Sequence, residues 1–240
     1  SPLPDDLKPV FAQAPLELKG QFMLGSNYTF LVDVLHEGDP LQAVYKPVKG
    51  ERPLWDFPEN SLAGREVAAY LVSETLGWSL VPYTILREDG PYGPGSLQEY
   101  IEYNPNYHYF NFRELTNRLR PVSLFDPLVN NADRKGSHVI LEKRTRHLYA
   151  IDHGLCFHEE DKLRTVVWDF AGEPIPTELL AALEHLRAEL RPDCSLHTAL
   201  LAYLSSEEIA ALDFRAETLL TAGKFPQPPA HRRPYPYPPL

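Results

Sequence analysis

The stretch from Leu128 to Gly154, LVNNADRKGSHVILEKRTRHLYAIDHG, carries two aspartates whose settings suit metal and proton chemistry. Asp133 follows an apolar run and opens a polar loop, a place where rigid neighbours hold a catalytic group and where a carboxylate can take a proton. Asp152 closes the second of two short apolar runs, Val139 to Leu141 and Leu148 to Ile151, which have the outline of strands joined by a charged turn. A hairpin there would bring the two carboxylates together. Magnesium prefers a few carboxylate oxygens plus substrate phosphates to a full protein cage, so few acidic residues suffice if they converge. His138, five residues after Asp133, is a further candidate ligand, although imidazole suits zinc, iron or manganese better than magnesium. A hydrogen-bonded histidine at a strand start accounts for it as well.

Lys46 ends the apolar segment AVYKP, where an ammonium is hard to bury without an anionic partner. Glu66, on a helix candidate that begins at Ser61, can supply the counter-charge, and a lysine held by a helix glutamate grips nucleotide phosphates in kinases. Taken singly, an edge-strand lysine and a solvated glutamate are the plainer alternatives. Gly25-Ser26-Asn27 sits between two strand candidates, where a permissive turn lets backbone amides approach an anion, although most such turns only reverse a hairpin. Gln98-Glu99-Tyr100-Ile101 follows a Gly- and Pro-rich turn and leads into the helical half, so its backbone can hold an adenine edge or serve as a plain linker.

Positioning these groups requires two kinds of structure. From Leu16 to Ile101 the pattern is mostly strand-like, with apolar residues in Phe22 to Leu24, Tyr28 to Leu35 and Leu41 to Tyr45 separated by turn residues. One helix interrupts them, Ser61 to Leu76, with Ser61 as its cap, Leu62, Val67, Tyr70, Leu71 and Leu76 near one face and Gly77 as its stop. Strands resume at Pro82 to Arg87 and Ser96 to Ile101. The second half reads as helices over Phe112 to Leu119, Pro121 to Asn131, Glu178 to Arg191, Ser195 to Leu204 and Glu207 to Ala222. Residues 1–15 and 225–240 are proline-rich and predicted to be extended arms; the second is a ligand for a proline-reading partner or a strap packed on its own domain through Tyr235 and Tyr237. The organisation expected is α+β, with an N-lobe over 16–101 and a C-lobe over 102–224.

The totals limit the function classes. With 240 residues the chain can bury a real core, and a formal charge of -10 argues against sequence-independent nucleic-acid binding, which needs clustered cations. Cys156 and Cys194 form no disulfide framework and lack zinc-ligand spacing. No apolar run nears the roughly 20 residues that span a bilayer, and the first residues lack a signal layout, so the expected compartment is the cytoplasm.

The order of Gly-rich turn, AVYKP, Glu66, Gln98, NNADRKGSH and IDHG resembles the phosphatidylinositol 3/4-kinase-like superfamily, which includes the HipA-type kinases. The phrases VYKPVKGERPLWDFP, GREVAAYLVSETLGW, NNADRKGSHV and DHGLCFHEEDKLRTVVW look more narrowly like an actinobacterial-type branch, and the similarity covers about residues 16–222. It implies a two-lobed protein-kinase-like fold that uses ATP with magnesium or manganese. Lys46 would contact nucleotide phosphates, Glu66 brace it, Gln98 to Ile101 hold adenine, Asp133 act as the catalytic aspartate and Asp152 bind the metal. Two positions depart from the pattern. His138 stands where relatives place a metal-binding asparagine, and His153 where protein kinases place phenylalanine.

The expected activity is transfer of the ATP γ-phosphoryl group to a hydroxyl acceptor, whether lipid, protein or small molecule. Lys162, Arg164, Trp168 and Phe170, after Asp152, form a mixed basic and aromatic set that would face an anionic acceptor or simply dock on the C-lobe. Two alternatives stand beside it. One is a nucleotide-binding pseudokinase acting through a partner, motivated by His138. The other is a metal-dependent hydrolase built on Asp133, His138, Asp152 and His153.

Overall fold

The structure is a computed structural model that describes residues 3–22, 28–112 and 116–240. Five strands, β1 (Leu16–Phe22), β2 (Thr29–Val34), β3 (Leu41–Pro47), β4 (Thr84–Gly90) and β5 (Gly93–Glu99), form an antiparallel sheet in the order β1-β2-β3-β5-β4. Alternation along β3 buries Ala43, Tyr45 and Pro47 and puts Lys46 on the opposite face. The sheet's first strand begins earlier than the expected Phe22 to Leu24, whose last two residues lie outside the described residues, as does Gly25-Ser26-Asn27.

The opening arm departs from expectation. Lys8–Gln13 is a helix, α1, with Pro9 in its first turn, where a missing N–H costs nothing. Phe11 is fully buried with Leu3, Val32, Val34, Ala43, Tyr45 and Leu97, a burial that stabilises by about 1.5–3 kcal/mol. The Arg87 guanidinium donates to Phe11 O and Ala14 O, both at 3.0 Å, and so satisfies carbonyls left open at the helix end. Residues at 1–15 are therefore partly N-lobe core.

Helix α2 (Leu62–Thr75) lies between the lobes. Its burial extends almost all round, beyond the single face expected, because Ala68, Ala69, Val72 and Leu76 join the large core cluster of the C-lobe. Glu51, in place of Ser61, caps it: its carboxylate accepts from Leu62 N at 3.2 Å and Ala63 N at 2.9 Å. Ser61 Oγ instead donates to Pro58 O and accepts from Arg65 Nε.

In the C-lobe, α3 (Arg120–Val129) leads to a loop and the hairpin β6 (Val139–Leu141) and β7 (Leu148–Ala150), followed after a long irregular segment by α4 (Thr177–Glu189), α5 (Ser195–Leu200) and α6 (Ser206–Ala222). The hairpin register pairs Val139 with Ala150. Of the helix expected over Phe112 to Leu119, the described residues show an extended Phe112 and a short 3-10 turn, Thr116–Leu119. Ser205 and Glu208 form a reciprocal cap on α6, and Gly223, at φ 60°, ends it. Among the described residues no helix is long and apolar enough to cross a membrane.

Gly95 on β5 pairs with Pro47, next to Lys46 on β3. A Cβ there would lie 2.5 Å from Lys46 O and 2.8 Å from Pro47 Cα, backbone atoms that cannot swing aside. Gly95→Ala is expected to lower stability by about 1–3 kcal/mol. Gly20→Ala, whose new methyl meets nothing within 4 Å, is expected to stay within about 0.5 kcal/mol of the parent. Urea denaturation of the two variants checks both values.

Candidate active site

The Lys46 ammonium faces two carboxylates at once. Its Nζ donates to Glu66 Oε1 in a short contact and to Asp152 Oδ1 at 3.0 Å. Burial opposes the charge on Lys46, but Asp152 and Glu66 outweigh it and hold its pKa above the ordinary lysine value. Glu66 Oε2 accepts from His153 N at 2.9 Å, so one glutamate joins β3 to the segment after β7.

Asp152 has a left-handed backbone, φ 64°, a region that aspartate tolerates better than most residues. Its side chain keeps 47% exposure. Burial works against its carboxylate, yet Lys46 and then His138 prevail and hold its pKa below the usual carboxylate range. His138 Nε2 lies 3.3 Å from Asp152 Oδ2, and its Nδ1 is buried without a partner. Burial lowers the His138 pKa to about 4, with Asp152 opposing and Arg134 assisting, so the ring is neutral at pH 7.

Asp133 sits on the loop after α3, held by its own N–H donating to Asn131 Oδ1 at 2.9 Å. Its Oδ2 lies 3.6 Å from Lys135 Nζ. Burial, opposed by Lys135 and assisted by Asp152, raises its pKa to about 6.

What fixes the loop against the hairpin is Arg134, fully buried although charged. Its Nε donates to both Asp126 oxygens at 3.0 and 3.1 Å, and its NH1 donates to Ile151 O at 2.7 Å and His138 O at 3.4 Å. The His153 Nε2 accepts from the remaining NH2 at 2.7 Å, which leaves the ring proton on Nδ1. Burial and then Arg134 keep that imidazole neutral. The residue before Asp152 and the residue after it are thus tied to the residue after Asp133. Arg134 and Asp126 have no role among the candidate residues of the sequence pattern. A signal existed in Asp126, a charge among Leu124, Phe125, Leu128 and Val129, since a buried charge demands a partner.

A second buried arginine anchors α2. Arg65 donates to Cys156 O at 2.7 Å and to Glu208 Oε1 at 2.6 Å, linking the Glu66 helix to the α6 cap.

At the join between lobes the four candidate adenine-binding residues differ in what they leave open. Gln98 pairs in the sheet with Val44 and Thr84, and its side chain donates to Thr84 Oγ1. The Glu99 and Tyr100 amides are donated to Tyr83 O and Gln42 O. Among the described residues the Ile101 amide and carbonyl make no backbone hydrogen bond. Of the set after Asp152, Lys162 pairs with Asp56 and Glu160, and Phe170 is buried under the Arg120 guanidinium, while Arg164 is exposed.

Residues 62–205 match the family model described as "Phosphatidylinositol 3- and 4-kinase". The chain is also 40% identical to Protein Rv2133c of Mycobacterium tuberculosis (strain ATCC 25618 / H37Rv) over 272 aligned positions, which cover 98% of this chain and 96% of that protein. The chain belongs to the phosphatidylinositol 3- and 4-kinase family. Its fold is the two-lobed kinase-like one, as the solved structures to which it is similar bear out. A Golgi casein kinase superposes with a TM-score of 0.51 at 16% identity, covering 91% of this chain and 74% of that one. The Helicobacter pylori proinflammatory kinase CtkA superposes at 0.54 and 12% identity, covering 90% and 94%. As a member of a kinase family, the chain is a kinase-like phosphotransferase.

Proposed function

We propose that this family member moves the γ-phosphoryl group of ATP to a hydroxyl acceptor, with Asp133 as the base. The observation that carries the proposal is the single ammonium of Lys46 shared by Glu66 and Asp152, which joins a strand of one lobe to the metal-candidate carboxylate of the other. In this reading Lys46, braced by Glu66, holds the nucleotide phosphates, and the Ile101 backbone, without a backbone partner among the described residues, meets the adenine edge.

The donor set fits a divalent ion that draws most of its shell from phosphate and water. Asp152 and neutral His138 adjoin each other at 3.3 Å, the Lys46 charge already sits on Asp152 Oδ1, and among the described residues no group of three or more such donors forms a cage. Such an ion, magnesium or manganese, would neutralise charge developing on the phosphates. Within the chain, Asp133 takes the acceptor hydroxyl proton as the new oxygen–phosphorus bond forms and the bond to the β-phosphate oxygen breaks, releasing ADP. Its pKa of about 6 leaves it ionised yet basic near neutrality.

Incubation with labelled ATP, magnesium or manganese and candidate acceptors tests the proposal, and the pH profile is its sharpest feature. Protonation of Asp133 removes the base, so kcat/KM is expected to rise about tenfold per pH unit below its pKa of about 6 and to level off above pH 7. His138, near 4, adds no limb between pH 5 and 8. A flat profile over that range removes Asp133 from the role.

His138 favours a second reading, a pseudokinase that binds nucleotide without efficient transfer. Stabilisation by ATP in a thermal-shift titration with no turnover under either metal would select it. The hydrolase alternative leaves the Lys46–Glu66 pair without a task.

A further inference from the structure

The proline-rich closing segment is held along the edge of the catalytic loop, and not by its tyrosines. Lys224 bridges Pro174, Phe225 exchanges backbone hydrogen bonds with Gly172 and Glu173, and Arg232 forks onto both oxygens of Asp161 while donating to Leu163 O. Pro234 O then accepts from Thr165 N at 3.0 Å, and Pro239 O accepts from Gly136 N at 2.8 Å. Pro236 is buried between these contacts, whereas Tyr235 and Tyr237 remain exposed.

This path ends beside the loop that carries Asp133. Residues 164–166 already pair with Arg134, through Arg134 N to Arg164 O at 3.0 Å and Val166 N to Arg134 O at 3.2 Å. The closing segment crosses the outer edge of that ladder at Thr165 and reaches Gly136, three residues past Asp133. The Thr165 and Gly136 N–H donors and the exposed Asp161 carboxylate form a recognition pattern for a polypeptide bearing arginine and proline. Proline suits it because the two backbone contacts of residues 230–239, at Thr165 N and Gly136 N, use the segment's carbonyls and none of its amides.

We infer that this groove is the docking site for an arginine- and proline-bearing segment of a protein acceptor, and that residues 230–239 occupy it in cis as an intrasteric strap. That the partner is an acceptor rests on the phosphotransferase proposal; the groove and its occupant do not. A tethered segment competes at an effective concentration in the millimolar range, so a free partner must be abundant or must displace Arg232 to enter.

A fluorescent peptide of residues 229–240 tests the inference by anisotropy, without ATP. The chain shortened after Pro228 retains Phe225 in the core and is expected to bind the peptide at least 10-fold more tightly than the full chain. The peptide carrying Arg232→Glu is expected to bind at least 10-fold more weakly. The full chain with Arg232→Glu, which needs no truncation, is expected to take the wild-type peptide as the shortened chain does. Equal binding by all forms, or none by the shortened and Arg232→Glu chains, overturns the inference.

A transfer arm separates it from the broader proposal. With ATP and magnesium, shortening is expected to raise transfer to myelin basic protein several-fold. Transfer confined to phosphatidylinositol vesicles and indifferent to shortening overturns the groove's role while phosphotransfer stands. Peptide binding as expected with no transfer to any acceptor supports the groove and rejects phosphotransfer.

Discussion

Asp133→Asn is expected to lower turnover about 10²- to 10⁴-fold, the range for loss of a positioned general base, while ATP still raises the melting temperature. The amide keeps the shape of the side chain, and the backbone hydrogen bond to Asn131 that holds the loop is untouched. Asp152→Asn should behave differently. It removes the carboxylate that faces Lys46 and His138, so both metal-dependent ATP stabilisation and turnover are lost, the latter by about 10²- to 10³-fold or more. Initial rates and thermal-shift titrations with and without magnesium separate the two. If Asp133→Asn turns ATP over at the parent rate, the base lies elsewhere.

The second large effect is on stability. Arg134→Ala strands the buried Asp126 carboxylate without its cation and deprives Ile151 O and His153 Nε2 of their donor. Breaking a buried ion pair by removing one partner costs about 3–5 kcal/mol. At about 2–4 °C per kcal/mol for a domain of this size, the melting temperature should fall by roughly 6–20 °C. Arg134→Lys should recover only part of the loss, because an ammonium cannot fork to Asp126, two carbonyls and an imidazole together. The double replacement Arg134→Met with Asp126→Leu should cost less than the sum of the single changes, since it strands neither charge. Additive losses in that cycle would show that Arg134 and Asp126 do not act as a unit. Because Arg134 also ties the flanks of Asp152 to the Asp133 loop, any folded Arg134 variant should lose activity with its metal dependence altered.

How much of this was legible in the chain varies with how local the cause is. The strands and late helices could be read because alternation, periodicity, the Ser205 and Glu208 cap and Gly223 act within a few residues. Helix α1 could not, since its carbonyls are satisfied by Arg87, far along the chain, and its prolines point by themselves to an extended arm. The cap on α2 misled in the same way. Ser61 has the right type and place, but Glu51 reaches the amides from the preceding loop.

The candidate site divides along the same line. Lys46 was conspicuous because an ammonium among apolar residues needs a counter-charge, and Glu66 was the nearest helix carboxylate on offer. The short runs around Asp152 announced a hairpin. By itself, then, the sequence determined the chemical types, their order and the local elements that carry them, since propensity, patterning and turn chemistry are short-range. It took the packing of distant segments to bring one lysine to two carboxylates, a neutral His138 beside Asp152, Arg134 and Asp126 together as a lock of loop to hairpin, and the proline-rich end along the Asp133 loop. Each depends on segments far apart in the chain being brought within hydrogen-bond range, and on burial that makes an unpaired charge too costly to leave. No spacing along the chain encodes either.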